Sequence, residues 1–363
     1  MLRPLKLLTL LRLKKLPSNQ IQNLEARVIS SGPLFTKMQL IEKSKDLIAE
    51  EEMKMAFTAK DVQNLRQMTG CGMMDCKKAL TESNGDIEKA VEYLREKGLS
   101  AAAKKADRVA AEGVVYAVAD AAKKVGAIIE VNSETDFVAK NADFNAFVAQ
   151  CAQIIMDQNP ADVDALLACK AENGMTVEEL LREKILVIGE NLKIRRFVRE
   201  EGVLSTYIHA GGKIGVMVKF DVSEGIADKA EFAECGHDVA MQIAAINPGY
   251  LKREEVPAAV VEEEKKVLEA QIQNDEKLKN KPAQVIEKMV SGRVEKFYKE
   301  NCLVDQAFVK DGNMNVAQYV AKVAKDLGGN IEIASFIRFE KGEGIEKKQE
   351  DFAAEIASMV KGN

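Results

Sequence analysis

The chain has 363 residues, 47% of them hydrophobic and 30% charged, with a formal net charge of −5. That is enough for two or three domains with an ample core. An acidic balance argues against a phosphate-backbone binder, and no apolar run is long enough for a membrane span.

The cysteines are Cys71, Cys76, Cys151, Cys169, Cys235 and Cys302, and no two form a Cys-x-x-Cys pair. With only His209 and His237 beside them, no zinc set assembles. Free thiols in a reducing compartment are the simpler account.

Residues 1–54 read as an N-terminal extension, disordered or not native to the protein. The first 24 carry Arg3, Lys6, Arg12, Lys14 and Lys15 among many leucines, and no acid. That composition suits an organellar targeting peptide, although serine is sparse. A start codon placed too far upstream, with Met55 as the natural start, is the favoured account, and the transit peptide is the alternative.

Residues 55–98 read as a small three-helix unit. Val62 and Leu65 face inward, and Thr69-Gly70 breaks the first helix. Asp75 starts the second, with Cys76, Ala79 and Leu80 inward. Ile87, Ala90, Val91 and Leu94 mark the third, and Gly98 ends it. The unit resembles a ubiquitin-associated-type (UBA-like) module. Residues 99–112, rich in Ala and Lys, read as a mobile or helical linker.

An internal duplication follows. Gly113 to Val131 aligns on Gly202 to Phe220 at a constant offset. Asp143-Phe144 then pairs with Glu231-Phe232, and Asn159-Pro160 with Asn247-Pro248. Each copy predicts a strand, a tight turn, a second strand and a long amphipathic helix. Residues 190–199 and 330–340 supply a third strand to each. The expected fold class is α+β: two duplicated subdomains, 113–200 and 201–251 with 303–342.

Residues 252–302 interrupt the second copy. Val260, Val267, Leu268 and Ile272 form one apolar stripe; Val285, Ile286, Met289, Val290, Val294 and Phe297 form another. The polar stretch ending in Pro282 between them predicts an antiparallel helical hairpin. Residues 343–363 read as a C-terminal module with a final helix bearing Phe352, Ile356 and Met359.

No phosphate loop and no dinucleotide fingerprint are present. Gly211-Gly212-Lys213 joins two strands, so it is a hairpin turn. No nucleophile or paired-carboxylate constellation is supported, so an enzyme, a cofactor and a metal site are not expected.

Residues 131–140, Val-Asn-Ser-Glu-Thr-Asp-Phe-Val-Ala-Lys, sit where a strand gives way to a helix. Phe137 there is either packed onto the local core or offered to a partner. Ser133, Thr135 or Asp136 is a candidate helix cap. The second copy has Ser223-Glu224-Gly225 in the corresponding stretch, so the fold does not require a phenylalanine. Met73 and Met74 pose the same choice between core and contact.

Several motifs together resemble the elongation factor Ts family from Met55 onward. They are Leu65-Arg66-Gln67-Met68-Thr69-Gly70, Gly72-Met73-Met74-Asp75-Cys76-Lys77-Lys78-Ala79-Leu80, Thr135-Asp136-Phe137-Val138, Ile194-Arg195-Arg196-Phe197, Tyr207-Ile208-His209 and Phe336-Ile337-Arg338-Phe339-Glu340. The resemblance implies a guanine-nucleotide exchange factor for elongation factor Tu, without chemistry of its own. It implies that Thr135, Asp136, Phe137 and Val138 dislodge Mg2+ from the partner. Arg66, Met73, Met74, Lys77 and His209 would touch the partner. It further implies no nucleic-acid or membrane partner, and a homodimer or a heterotetramer with elongation factor Tu as possible assemblies. The location would be the bacterial cytoplasm, or the mitochondrial matrix if residues 1–24 are a transit peptide. The rival from another class is a non-catalytic adaptor whose helical module binds ubiquitin-like partners.

Overall fold

The computed structural model describes residues 57–274 and 282–346. The expectations for residues 1–54 and for the final helix lie outside the described residues. The chain divides into two compact units, one up to Ser100 and one from Ala101 onward.

The first unit holds helices α1 (Ala59–Thr69), α2 (Met73–Glu82) and most of α3 (Ile87–Lys105). Thr58 and Asp61 form a reciprocal capping box that starts α1, and left-handed Gly70 stops it. Val62, Leu65, Cys76, Ala79, Leu80, Ala90 and Leu94 are buried as their spacing predicts. Two boundaries differ from expectation. α2 begins at Met73 rather than Asp75. α3 runs through Gly98, which is buried, to Lys105. The alanines at 101–103 are strong helix formers and carry the helix past the glycine.

The second unit contains the duplication. In the first copy β1 (Glu112–Asp120), β2 (Val125–Ser133) and β3 (Lys193–Glu201) form an antiparallel sheet in the order β1-β2-β3. In the second, β4 (Val203–His209), β5 (Ile214–Val222) and β8 (Ile331–Glu340) repeat that arrangement. A register shift falls at Glu130/Val131 in one sheet and at Lys219/Phe220 in the other, which are aligned positions. Each sheet carries a long helix, α5 (Ala142–Gln158) or α8 (Ala230–Ile246). Left-handed Asn159 and Asn247 cap them at equivalent places.

Every residue of β2 is buried because both faces of its sheet are covered. Strand alternation decides which residue meets which layer. Val125, Ala127, Ile129 and Val131 pack toward α5. Ile214, Val216, Val218 and Phe220 do the same toward α8. Between them, Ile128 and Met217 enter a third cluster with Val115, Ala117 and Phe339, where the sheets meet face to face. Val115 N–H also donates to Gly212 C=O at 2.8 Å, tying β1 to the β4–β5 turn.

The periodicity reading missed several elements. The first copy also carries α6 (Val163–Ala168) and α7 (Val177–Ile188). The second carries a two-stranded ribbon, β6 (Ala307–Phe308) and β7 (Asp311–Asn315), and α11 (Val316–Leu327). Capping boxes Thr176/Glu179 and Asn315/Gln318 start α7 and α11, and that spacing was legible in the sequence.

Helices α9 (Ala258–Asn274) and α10 (Ala283–Asn301) form the hairpin. Leu268, Ile272, Val290 and Val294 make its buried seam. Val260, Val267 and Val285 are exposed instead, so each expected stripe was too wide. Two helices have only one mutual seam, and residues beside it stay in water.

Candidate functional site

The segment after β2 is built to present one side chain. α4 (Asp136–Ala139) is a single turn, with Thr135 at its N-cap position. Neighbouring residues on a helix point about 100° apart, so Val138 and Phe137 cannot both face inward. Val138 is buried in the first core and Phe137 is 78% exposed.

The duplication sharpens that contrast. Ile226 aligns with Val138 and is likewise buried. Gly225 aligns with Phe137 and has open space around it. The core residue is kept in both copies, whereas the exposed aromatic ring occurs in one.

Neighbouring polar groups hold the loop. Thr135 donates its N–H and its hydroxyl to the Glu190 carboxylate, at 2.9 and 2.6 Å. Glu134 accepts from Asn191 N–H at 2.6 Å and pairs with Arg108 at 3.5 Å. Ser133 donates its hydroxyl to Thr135 C=O at 2.9 Å. Asn191 donates its side-chain amide to Arg108 C=O at 2.8 Å. Left-handed Gly189 caps α7 and turns the chain so that Glu190 and Asn191 face the loop.

Asp136 takes no part in that network. It pairs with Lys140 at 3.3 Å, and both side chains are exposed. An exposed pair of this spacing contributes only about 0.3–0.5 kcal/mol. Register in the loop therefore comes from Thr135 and Glu134, with Glu190 and Asn191, rather than from Asp136. Glu190 and Asn191 were not singled out in the sequence, because their partners lie more than 50 residues away.

In the first unit Met73 is 44% and Met74 75% exposed. Met68, Arg66 and Lys77 are exposed as well. Unbranched methionines in water are adaptable apolar contacts available to a partner. Met68 stood within a quoted motif but was not read as a surface residue.

His209 ends β4 and is exposed. Left-handed Ala210, Gly211 and Gly212 turn the chain directly after it. Its Nδ1 lies 3.0 Å from the Tyr207 hydroxyl.

The remaining motifs meet at Glu130. This carboxylate is fully buried and pairs with Arg195 at 3.0 Å and Arg196 at 2.7 Å. It also accepts from Gly342 N–H at 2.8 Å and Asn132 Nδ2 at 3.1 Å. Arg196 stacks over the Phe339 ring, 4.1 Å from its centre. Lys341 pairs with Glu112. The Arg-Arg-Phe motif and the glycines after β8 are thus parts of one structural clasp.

Comparison with known proteins gives the family. The family model described as Elongation factor TS matches residues 134–343. The chain belongs to the elongation factor Ts family. It is 50% identical over 306 residues to elongation factor Ts of Clostridium perfringens, covering 84% of this chain and 99% of that protein. It is 49% identical over 307 residues to elongation factor Ts of Clostridioides difficile, with the same coverage. It is 48% identical over 317 residues to that of Trichlorobacter lovleyi. Family membership makes it an elongation factor of protein biosynthesis. These relatives are bacterial and lend no support to a mitochondrial location. No described helix is long and apolar enough to cross a membrane. Among the described residues, no group of three His, Cys, Asp or Glu side chains is arranged to hold a metal.

Proposed function

We propose that this chain is a guanine-nucleotide exchange factor that binds elongation factor Tu with GDP and promotes GDP release. The observation that carries the reading is Phe137, an exposed aromatic ring on a loop whose backbone is held by Glu190 and Ser133 and whose Glu134 side chain anchors to Asn191. A pre-ordered loop loses little entropy when it docks. Phe137 enters an apolar pocket between helices of the partner's nucleotide-binding domain. Thr135 and Val138 anchor the segment that carries the wedge, and exposed Asp136 meets the partner beside it. The displaced helix disturbs the Mg2+ site, and GDP loses metal and phosphate contacts together. The chain itself makes and breaks no covalent bond.

Energetics support a grip at several points. Burying one phenylalanine contributes roughly 1.5–3 kcal/mol, or about one to two decades of affinity. Linkage requires that GDP weaken factor binding as much as the factor weakens GDP binding. Met73, Met74, Arg66 and Lys77 on the UBA-like module, together with His209, supply the further contacts that keep the complex together.

The test is fluorescent-GDP release from elongation factor Tu in a stopped-flow instrument. The full chain should accelerate release by orders of magnitude and form a nucleotide-free complex that added GDP dissociates. Unchanged release, or capture that ignores GDP, favours the adaptor reading instead. Light scattering of that complex reads its stoichiometry, one-to-one or heterotetrameric.

A further inference from the structure

His209 stands at the end of a small aromatic chain. Tyr207 and His209 are two residues apart on β4, so both lie on the face that α8 covers. Gly236 on α8 approaches β4 closely; a Cβ there would sit 2.0 Å from the Ser205 hydroxyl oxygen. That close approach brings the next residue, His237, against Tyr207, with ring centres 5.1 Å apart. Tyr207 in turn reaches His209 with its hydroxyl. The two histidines of the chain therefore flank one tyrosine.

A free surface imidazole has two neutral tautomers and several rotamers. The Tyr207 contact fixes the ring's orientation and couples its tautomer to the direction of one hydrogen bond. The Tyr207 hydroxyl lies 3.0 Å from His209 Nδ1, and either atom can be the donor. If the hydroxyl donates to it, the ring proton must sit on Nε2, at the far edge of an exposed ring.

We propose that Tyr207 is a positioning residue for nucleotide exchange: it holds His209 as an outward Nε2–H donor toward a carbonyl or carboxylate on the partner, and His237 braces Tyr207 from α8. This rests on the reading of His209 as a partner contact.

Two measurements on the full chain test it. Two-bond proton–nitrogen correlation spectra of the labelled protein report which His209 nitrogen carries the proton. The wild type should show the Nε2–H form, and Tyr207→Phe should give a mixture of both tautomers. An unchanged tautomer in Tyr207→Phe would overturn the proposal.

The second measurement is a double-mutant cycle on GDP release from elongation factor Tu. Tyr207→Phe keeps the ring and should slow release about two- to tenfold, the range expected for one hydrogen bond. In a His209→Ala background the same change should do nothing. An equal loss in both backgrounds means packing alone and sinks the proposal. If His209→Ala has no effect while Phe137→Ala slows release, the proposal fails and the exchange reading stands. If the wild-type chain itself does not accelerate release, the exchange reading fails.

Discussion

Glu190 receives both the backbone N–H and the hydroxyl of Thr135, from 55 residues away in the chain. This paired contact ties the loop that bears Phe137 to the end of α7. Glu190→Ala should therefore loosen the loop without unfolding the protein. The expected cost is about 1–3 kcal/mol, because Thr135 loses a charged acceptor. Amide exchange should rise across residues 134–140, and GDP release from elongation factor Tu should slow. Unaltered protection in that segment would show that the loop is held some other way.

Phe137 and its neighbour should separate function from folding. Phe137→Ala removes an exposed ring, so stability should shift by no more than about 0.5 kcal/mol. Release of GDP should slow by roughly one to two decades. Val138→Ala opens space in the first core and should cost about 2 kcal/mol of stability. Thermal melts of both variants, beside the stopped-flow assay, check the contrast.

The exposed methionines should matter for association. Met73→Ala with Met74→Ala should leave the three-helix unit folded and weaken binding to elongation factor Tu by about tenfold or more. Leu80→Ala, fully buried in the same unit, should cost about 2–5 kcal/mol and melt it. Calorimetric titration together with circular dichroism distinguishes these outcomes. A melted unit in the methionine variant would return both residues to the core.

Acid should release the Glu130 clasp. Burial raises the pKa of this carboxyl, but the Gly342 N–H, Asn132, Arg196 and Arg195 outweigh it and hold the group below its ordinary value of 4.5. A depressed pKa in the folded state stabilises above that ordinary value, and the contribution is lost as pH falls through the depressed one. Stability of the second unit should therefore drop steeply only below the ordinary carboxylate range. Glu130→Gln keeps the shape but removes the charge that Arg195 and Arg196 share, and should cost about 1–3 kcal/mol near neutral pH. Its unfolding midpoint should also depend less on pH in that acid window. Parallel slopes for the two proteins would remove Glu130 from the account.

The sequence by itself determined the repeating parts of this protein. Two copies of strand, turn, strand and helix were legible because alternation and helical periodicity are local properties of a chain. Val125 to Val131 and Ile214 to Phe220 show this, with the same positions meeting the same layers in both copies. The break at Thr69-Gly70 was legible for the same reason. Gly98 and the valines at 260, 267 and 285 misled, because packing decides whether a glycine ends a helix and how wide a seam becomes. The tertiary structure alone decided that Phe137 is exposed while Val138 is buried. It alone brought Glu190 to Thr135, Gly342 to Glu130, and His237 to Tyr207. Those contacts join residues far apart in the chain, and a pattern read along the chain carries no record of which distant groups will meet.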